Sequence, residues 1–225
     1  MRTRWDTISA KSTRGKRNLL GLPLLLIVLG TGCNLGQLPD ESGSILFQDT
    51  FSSAQSGWDQ YSDATYTADY VANAYRISVF DADTEAWSIP RLAFSDVIIS
   101  VNARKLDGSD DNVYGVICRY VDPDNFYFFL ISSDGYAGIG VYAAGERSLL
   151  TGESMLPSDF INLGDGLNAL RIECVGDKLS LSVNGHIIEE VNGALSTTGD
   201  VGLIAGTYDL PGVEIEFDDF VVANP

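Results

Sequence analysis

Apolar and polar residues alternate over short stretches along most of the chain from residue 44 onward. These stretches are separated by Gly, Asp, Asn and Pro, which favour turns. The pattern predicts thirteen strands: Ile45–Phe51, Tyr66–Ala72, Ala74–Phe80, Thr84–Ser88, Val97–Lys105, Val113–Val121, Phe126–Ser132, Ala137–Ala143, Ala169–Val175, Lys178–Val183, His186–Val191, Val201–Thr207 and Val213–Val222. No stretch keeps the 3.6-residue apolar period of a sizeable helix. Short strands at near-regular spacing predict an all-β domain, an antiparallel β-sandwich or jelly roll.

The two-residue period also assigns faces within the strands. The apolar residues at positions 97, 99, 101 and 103 share one face, and Asn102 and Arg104 lie on the other. The same alternation places Cys118 and Cys174 on the apolar faces of their strands. We therefore predict a disulfide between these two cysteines. The alternative is two small buried side chains that do not meet.

Residues 1–32 have the features of a secretory signal peptide. They hold six basic residues and one acidic residue, followed by the apolar stretch 19–29. That stretch is shorter than the roughly 20 residues that a membrane-spanning helix needs. An uncleaved signal anchor is the alternative.

The cleavage site resembles a bacterial lipobox, in which small residues precede a cysteine. Here Gly30-Thr31-Gly32 precede Cys33, with Gly30 where the pattern usually has Leu. The resemblance implies that Cys33 is lipidated and becomes the new N terminus; the alternative is a cysteine near an ordinary cleavage site. Residues 33–43 then form a short tether, which reaches at most about 35 Å, and residues 44–225 form one domain.

The charge of the chain narrows the choice of partners. The whole chain carries a formal charge of −17, and without residues 1–32 it keeps eight basic and thirty acidic residues, a charge of −22. Such a surface repels nucleic acid and anionic lipid. We expect a monomer that is exported, held at the membrane by its lipid, and facing the cell exterior or the periplasm.

Several motifs resemble a known superfamily. They are the D-x-F motif at 49–51, the SGW motif at 56–58, and the runs 115–135, 170–186 and 199–222. Together they are similar to secreted bacterial domains of the concanavalin A-like lectin/glucanase superfamily, most of all to the LamG-like, 3-keto-disaccharide-hydrolase-related domain (family 1080 of unknown function). The resemblance implies a jelly roll whose concave face or loop rim can hold glycan, with Trp58 closing the sandwich where the chain ends meet. Lectins, glycosidases and adhesion modules share this fold, so it does not assign an activity.

No catalytic constellation stands out. A retaining glucanase uses two carboxylates about 5–5.5 Å apart, commonly on an E-x-D-x-x-E strand, and that motif is absent. The nearest candidates are Glu214, Glu216 and Asp218 on one face of the last strand; the alternative is an outward polar edge. The single histidine, His186, lies beside a hairpin turn, and no zinc-binding spacing is present.

Aspartates in two turns are candidates for a structural calcium site. Ca²⁺ takes six to eight oxygen ligands from such loops, and the candidates are Asp107, Asp110, Asp111, Asp122 and Asp124. The alternative is a local role, because aspartate is favoured in turns by its own hydrogen bonds. We predict no other cofactor.

Carbohydrate binding needs exposed aromatic rings beside polar groups. Arg104 and Arg119 are predicted on the polar faces of neighbouring strands, where the candidate site also includes Asn102, Trp87 and either Tyr127 or Tyr136. The alternative is that both arginines pair with surface acids and that the aromatic run 126–129 is core. The prediction is a membrane-anchored, non-catalytic binding module for carbohydrate. A glycoside-hydrolase-like enzyme and a structural or partner-binding lipoprotein remain the alternatives.

Overall fold

The computed structural model describes residues 43–225, and within that range every regular element is a strand. The sixteen strands are β1 Ile45–Asp49, β2 Tyr61–Ser62, β3 Tyr66–Val71, β4 Ala74–Val79, β5 Glu85–Ser88, β6 Val97–Gly108, β7 Asn112–Asp122, β8 Asn125–Ile131, β9 Tyr136–Ala143, β10 Glu146–Leu149, β11 Leu156–Pro157, β12 Asn168–Val175, β13 Lys178–Val183, β14 His186–Asn192, β15 Asp200–Thr207 and β16 Val213–Ala223. The signal peptide, Cys33 and all but the last tether residue lie outside the described range.

The strands form two antiparallel sheets. The nine-stranded sheet has the order β14-β13-β12-β6-β16-β4-β3-β2, with β1 also paired to β16. The seven-stranded sheet has the order β10-β9-β8-β7-β15-β5, with β11 paired to β9. The main apolar core lies between the sheets. The predicted all-β sandwich of jelly-roll type is therefore confirmed. None of the described residues forms a helix long and apolar enough to cross a membrane.

All thirteen predicted strands are present, with ends that move by a few residues. The Asn184-Gly185 turn between β13 and β14 has positive φ at both residues, 52° and 83°, as a two-residue hairpin of type I′ requires. Three short strands were not predicted: β2, β10 and β11. Of these, β10 matters most, because it carries a side chain of the candidate site.

We call the end of the sandwich where the described chain begins and ends the entry end, and the opposite end the distal end. At the entry end, the backbone N–H of Asn224 donates to the carbonyl of Ser44, and Cys174 pairs in register with Val97. At the distal end lie the β6–β7 turn and the β8–β9 turn. Strands β6 and β7 run from one end to the other in 12 and 11 residues. At about 3.3 Å per residue, the two ends are roughly 35 Å apart.

Asp49 accepts hydrogen bonds that hold the start of the domain in place. Its carboxylate accepts hydrogen bonds from Trp58 Nε1 at 3.0 Å and from the Phe51 backbone N–H at 2.8 Å. The Trp58 ring, 4% exposed, packs edge-on against Phe220 of β16 at 4.9 Å. These contacts join the first and last strands. The expectation that Trp58 closes the sandwich where the chain ends meet is confirmed.

The predicted disulfide is present. Cys118 of β7 is bonded to Cys174 of β12, with Cα atoms 6.9 Å apart and 56 residues of separation along the chain. Both cysteines are fully buried in the core between the sheets. The bond therefore links the seven-stranded sheet to the nine-stranded sheet.

Removing this bond should lower the free energy of unfolding. A Cys118→Ala/Cys174→Ala variant should lose about 4 kcal/mol, because the bond restricts a loop of this length in the unfolded chain. Urea denaturation of the two proteins, both carrying Cys33→Ser to remove the third thiol, measures the difference. The parent protein in excess dithiothreitol should unfold at the midpoint of the double variant. A loss below 1 kcal/mol would contradict the prediction.

Candidate functional site

The outer face of the nine-stranded sheet carries an ion-pair ladder. Glu216 of β16 accepts hydrogen bonds from Arg104 Nη2 at 2.6 Å and from Arg76 Nη2 at 3.0 Å. Arg76 Nη1 also lies 3.1 Å from Glu214. Burial raises the pKa of Glu216, but hydrogen bonds from Arg104 and Arg76 outweigh it and hold the pKa below its usual value. This carboxyl group therefore stays ionised and is unsuited to act as a general acid.

The other two polar residues predicted on this face, Asn102 and Asp218, both form hydrogen bonds with Asp219. Asn102 Nδ2 donates to Asp219 Oδ2 at 3.1 Å, and the Asp218 carboxylate accepts from the Asp219 backbone N–H at 2.7 Å. Glu214, Glu216 and Asp218 therefore form the polar outer face of β16, as the alternative interpretation held. Their role as catalytic residues is not supported.

Arg119 is the clearest correction to the predicted ligand site. Its side chain is 2% exposed and donates to the carbonyls of Ser196 and Gly176 at 3.0 and 2.7 Å, and to Asp96 at 3.2 Å. It belongs to the seven-stranded sheet, whereas Arg104 belongs to the nine-stranded one. The β6–β7 connection passes between the sheets, so the two arginines do not share a face. Arg119 ties loops together at the entry end and cannot contact an outside ligand.

The backbone explains why the alternation failed at Arg119. A β-bulge interrupts β7 after Cys118, and Arg119 has a positive φ of 53°. The extra residue reverses the inward and outward positions that follow. Tyr120 therefore packs on the outer face of its sheet and not in the core. Tyr127 is also corrected: it is 1% exposed in the core between the sheets.

The five aspartates proposed for calcium do not converge. Asp110 pairs with Lys105 at 2.7 Å, and Asp107 accepts from the Gly108 backbone N–H. Asp122 accepts from the backbone N–H of Asp124 at 2.9 Å, which is a local turn interaction. Among residues 43–225, no three His, Cys, Asp or Glu side chains are grouped to hold a metal ion. Local turn contacts account for Asp107 and Asp122, and we assign no calcium site.

The outer face of the seven-stranded sheet is apolar, which is unusual for a face that is not in the main core. Its fully buried residues are Val113, Ile117, Phe126, Phe128, Leu130 and Ile204, and the half-buried residues around them include Trp87, Tyr120, Tyr142, Leu149, Met155 and Tyr208. The rings of Phe126 and Tyr142 stack at 4.7 Å. The middle of this face is therefore filled by side chains.

The two edges of this sheet meet over the apolar cluster. Arg147 of β10 pairs with Glu85 of β5 at 2.9 Å, although four strands separate β10 from β5 in the sheet. Strands lie about 4.8 Å apart, so the sheet must curl for these side chains to touch. Arg147 also lies 4.7 Å over the ring of Phe128. We call the Arg147–Glu85 pair the strap; it crosses a strongly concave face.

Tyr142 forms a hydrogen bond to the strap. Its hydroxyl donates to Glu85 Oε2 at 2.7 Å. Burial and then the Glu85 charge raise the pKa of Tyr142, so the phenol keeps its proton. Burial lowers the pKa of the Arg147 guanidinium, but the Glu85 carboxylate more than compensates and leaves that pKa raised. The strap is therefore a charged pair with a neutral phenol at physiological pH.

A pocket of about 470 Å³ remains open between the strap and the distal end. We call it the distal pocket. Its aromatic walls are Tyr136, which is 41% exposed at the start of β9, and Tyr208, which follows β15. Burial raises the pKa of Tyr208. The remaining lining residues are Asp111, Ser132, Asp134, Arg147, Leu149, Glu153, Ser154 and Met155. Sugar rings and their hydroxyl groups are bound by the rings of tyrosines and by hydroxyl and carboxylate side chains.

The structure thus divides the predicted ligand residues among five places. Tyr136 lines the distal pocket, and Trp87 lies on the same concave face but not in that pocket. Asn102 and Arg104 lie on the outer face of the other sheet, Tyr127 is core, and Arg119 is buried at the entry end. Sequence reasoning missed Arg147 and Tyr208. The sequence signal for β10 was weak: only Gly145 favours the turn before it, because Ala144 is not a usual residue at a position with positive φ.

Comparison with known proteins supports the fold. The scan against protein-family models and the search of curated proteins found no match. Among solved structures, the chain is similar to the carbohydrate-binding module CBM66 from Bacillus subtilis, with 13% identity, a TM-score of 0.60, and coverage of 75% of this chain and 96% of the module.

Two further structures extend this comparison. A protein of unknown function with a galectin-like fold from Bacillus subtilis has 11% identity, a TM-score of 0.62, and coverage of 82% and 97%. A Bacillus licheniformis β-glucanase has 12% identity, a TM-score of 0.58, and coverage of 82% and 99%. At these identities the similarity shows the fold, which is galectin-like and concanavalin A-like.

The strap should contribute measurably to stability. Arg147→Met should lower the free energy of unfolding by about 2 kcal/mol, because it leaves the Glu85 carboxylate, 13% exposed, without its cation. A double-mutant cycle with Glu85→Gln should give a coupling energy above about 1 kcal/mol. The matched control is the Arg91–Asp59 pair, in which the Arg91 side chain is 74% exposed. Its coupling should stay below 1 kcal/mol. Equal coupling in the two pairs would contradict the role of the strap.

Proposed function

We propose that this chain is an exported lipoprotein, anchored through Cys33, whose domain binds carbohydrate in the distal pocket without hydrolysing it. The observation that carries the proposal is an open pocket with two tyrosines on the concave face of a fold that a carbohydrate-binding module and β-glucanases share. The motif resemblance to the LamG-like, 3-keto-disaccharide-hydrolase-related domain supports the same ligand class. The volume of the distal pocket, about 470 Å³, lies within the 300–1,000 Å³ typical of small-molecule sites.

The position of the pocket suits display from a membrane. The described chain begins at the entry end, where Ser44 meets Asn224, and the pocket lies at the other end of the sandwich. A lipid on Cys33 would attach the chain to the bilayer from the entry end. The pocket lies at the opposite end of the sandwich, roughly 35 Å from that end.

The carboxylates that lie on the sheets favour binding over hydrolysis. Glycoside hydrolysis uses one carboxyl group as an acid and a second as a base or nucleophile. Glu85, which is half of the strap, accepts hydrogen bonds from Arg147 and Tyr142. Glu216 lies on the other sheet between two arginines. Both carboxylates are occupied by partners of their own.

Carbohydrate binding can be tested at Tyr136. We expect Tyr136→Ala to weaken binding to a neutral glycan at least tenfold, because the substitution removes an exposed ring from the pocket wall. Affinity electrophoresis on laminarin, levan and mixed-linkage β-glucan identifies the glycan, and calorimetry gives the affinities. The matched control is Tyr61→Ala, since Tyr61 is 45% exposed in β2 of the other sheet.

The same samples test the absence of hydrolysis. No reducing ends should accumulate during long incubation with the bound glycan. Release of sugar that is lost in Glu153→Gln would support the glycoside-hydrolase alternative. If no glycan is retained by the parent protein, the carbohydrate proposal fails, and a structural or partner-binding lipoprotein is favoured.

The anchor has a separate test. The parent protein should fractionate with membranes and partition into the detergent phase of Triton X-114. Cys33→Ser should release a folded protein into the aqueous phase, because a surface of charge −22 has no affinity of its own for anionic lipid. A Cys33→Ser protein that stays in the membrane fraction would contradict lipid anchoring.

A further inference from the structure

The strap closes the concave face to a long ligand. A polysaccharide that binds through its internal units needs a groove open at both ends. Here the Arg147–Glu85 pair crosses the face from one edge of the sheet to the other. Beneath it, Phe126 and Phe128 are fully buried and Tyr142 stacks on Phe126. These side chains fill the middle of the face between the distal pocket and the entry end.

Glycine positions show how tightly this filling is built. A Cβ atom on Gly140 would lie 2.1 Å from the Phe128 ring, and one on Gly138 would lie 3.1 Å from Met155. The ring and the thioether therefore lie directly on strand β9. Because the floor is packed against backbone, a ligand cannot open the groove by displacing one flexible side chain.

The filled middle of the face therefore bounds the distal pocket on the side toward the entry end. Arg147 and Leu149 line that side, and Asp111 and Asp134 come from turns at the distal end. A volume of about 470 Å³ holds a ligand of one or two sugar rings. Such a pocket accepts the end of a glycan chain but not a unit with neighbours on both sides.

The charges in the pocket restrict the ligand further. Asp111, Asp134 and Glu153 have no salt-bridge partner among residues 43–225, and the guanidinium of Arg147 is already paired with Glu85. Carboxylates accept hydrogen bonds from sugar hydroxyls. They repel uronate, sulfate and phosphate groups, since no unpaired cation in the lining compensates.

We propose that the distal pocket binds the terminal unit of a glycan that carries no acidic groups. This inference rests on the proposed carbohydrate-binding function and adds to it the part of the glycan that is recognised. The strap determines that only chain ends enter, and the three carboxylates determine that the entering sugar is uncharged or cationic.

Chain-end binding predicts a dependence on the number of ends. The neutral polysaccharide that the protein retains (laminarin, levan or mixed-linkage β-glucan) is partly cleaved by an endo-acting hydrolase, which is then inactivated. At equal mass, fragments with ten times more ends should compete about ten times better for binding. Borohydride reduction of the fragments then distinguishes reducing from non-reducing ends. Competition that is unchanged or weaker after cleavage would overturn the inference while leaving carbohydrate binding intact.

A separate experiment tests whether the pocket excludes acidic sugars. Carboxymethylated fragments of the same glycan should bind at least tenfold more weakly than the unmodified fragments. Asp134→Asn/Glu153→Gln should reduce that difference, because it removes two of the three pocket carboxylates; both residues are exposed, so folding should be unaffected. Equal binding of both fragment types by the parent protein would overturn charge selection. Retention of no glycan at all would instead contradict the proposed function.

Discussion

Burial of the second apolar face of the seven-stranded sheet is the constraint on which the rest of the structure depends. An antiparallel sheet in a sandwich usually has one face in the core and one in water. Strands β7, β8 and β15 instead place apolar side chains on both faces. The outer face has no second sheet to cover it. It is buried because the sheet curls until β10 and β5 meet, and this curvature creates both the strap and the distal pocket.

Local rules predicted the parts of the fold that depend on neighbouring residues in the chain. Alternation in β6 assigned its core face, and the same rule put Cys118 and Cys174 inward, where they are bonded. The Asn184-Gly185 turn of the β13–β14 hairpin likewise depends on two adjacent residues, since both positions need positive φ. Each of these conclusions needs only a few adjacent residues and the period of a strand.

The positions of the candidate-site residues depend on structural features that the alternation of apolar and polar residues does not reveal. One bulge after Cys118 turned Arg119 into a buried tie between loops. The crossing of β6 and β7 between sheets separated Arg104 from it, although the residues are close in sequence. Arg147 lies in a four-residue strand at one edge of the sheet, and its side chain pairs with Glu85 at the other edge. Such contacts follow from sheet curvature, which no window of the sequence specifies.

The acidic surface would affect both the contact of the domain with the membrane and its choice of ligand. A domain with many carboxylates and few cations is repelled by anionic headgroups, so a lipid anchor and a short tether would have to supply all of its membrane affinity. The same repulsion would keep the domain away from the bilayer. Carboxylates in the distal pocket would exclude acidic polymers of an envelope. Charge would thus act on both membrane contact and ligand choice, whereas the strap would act on the length of ligand that can enter.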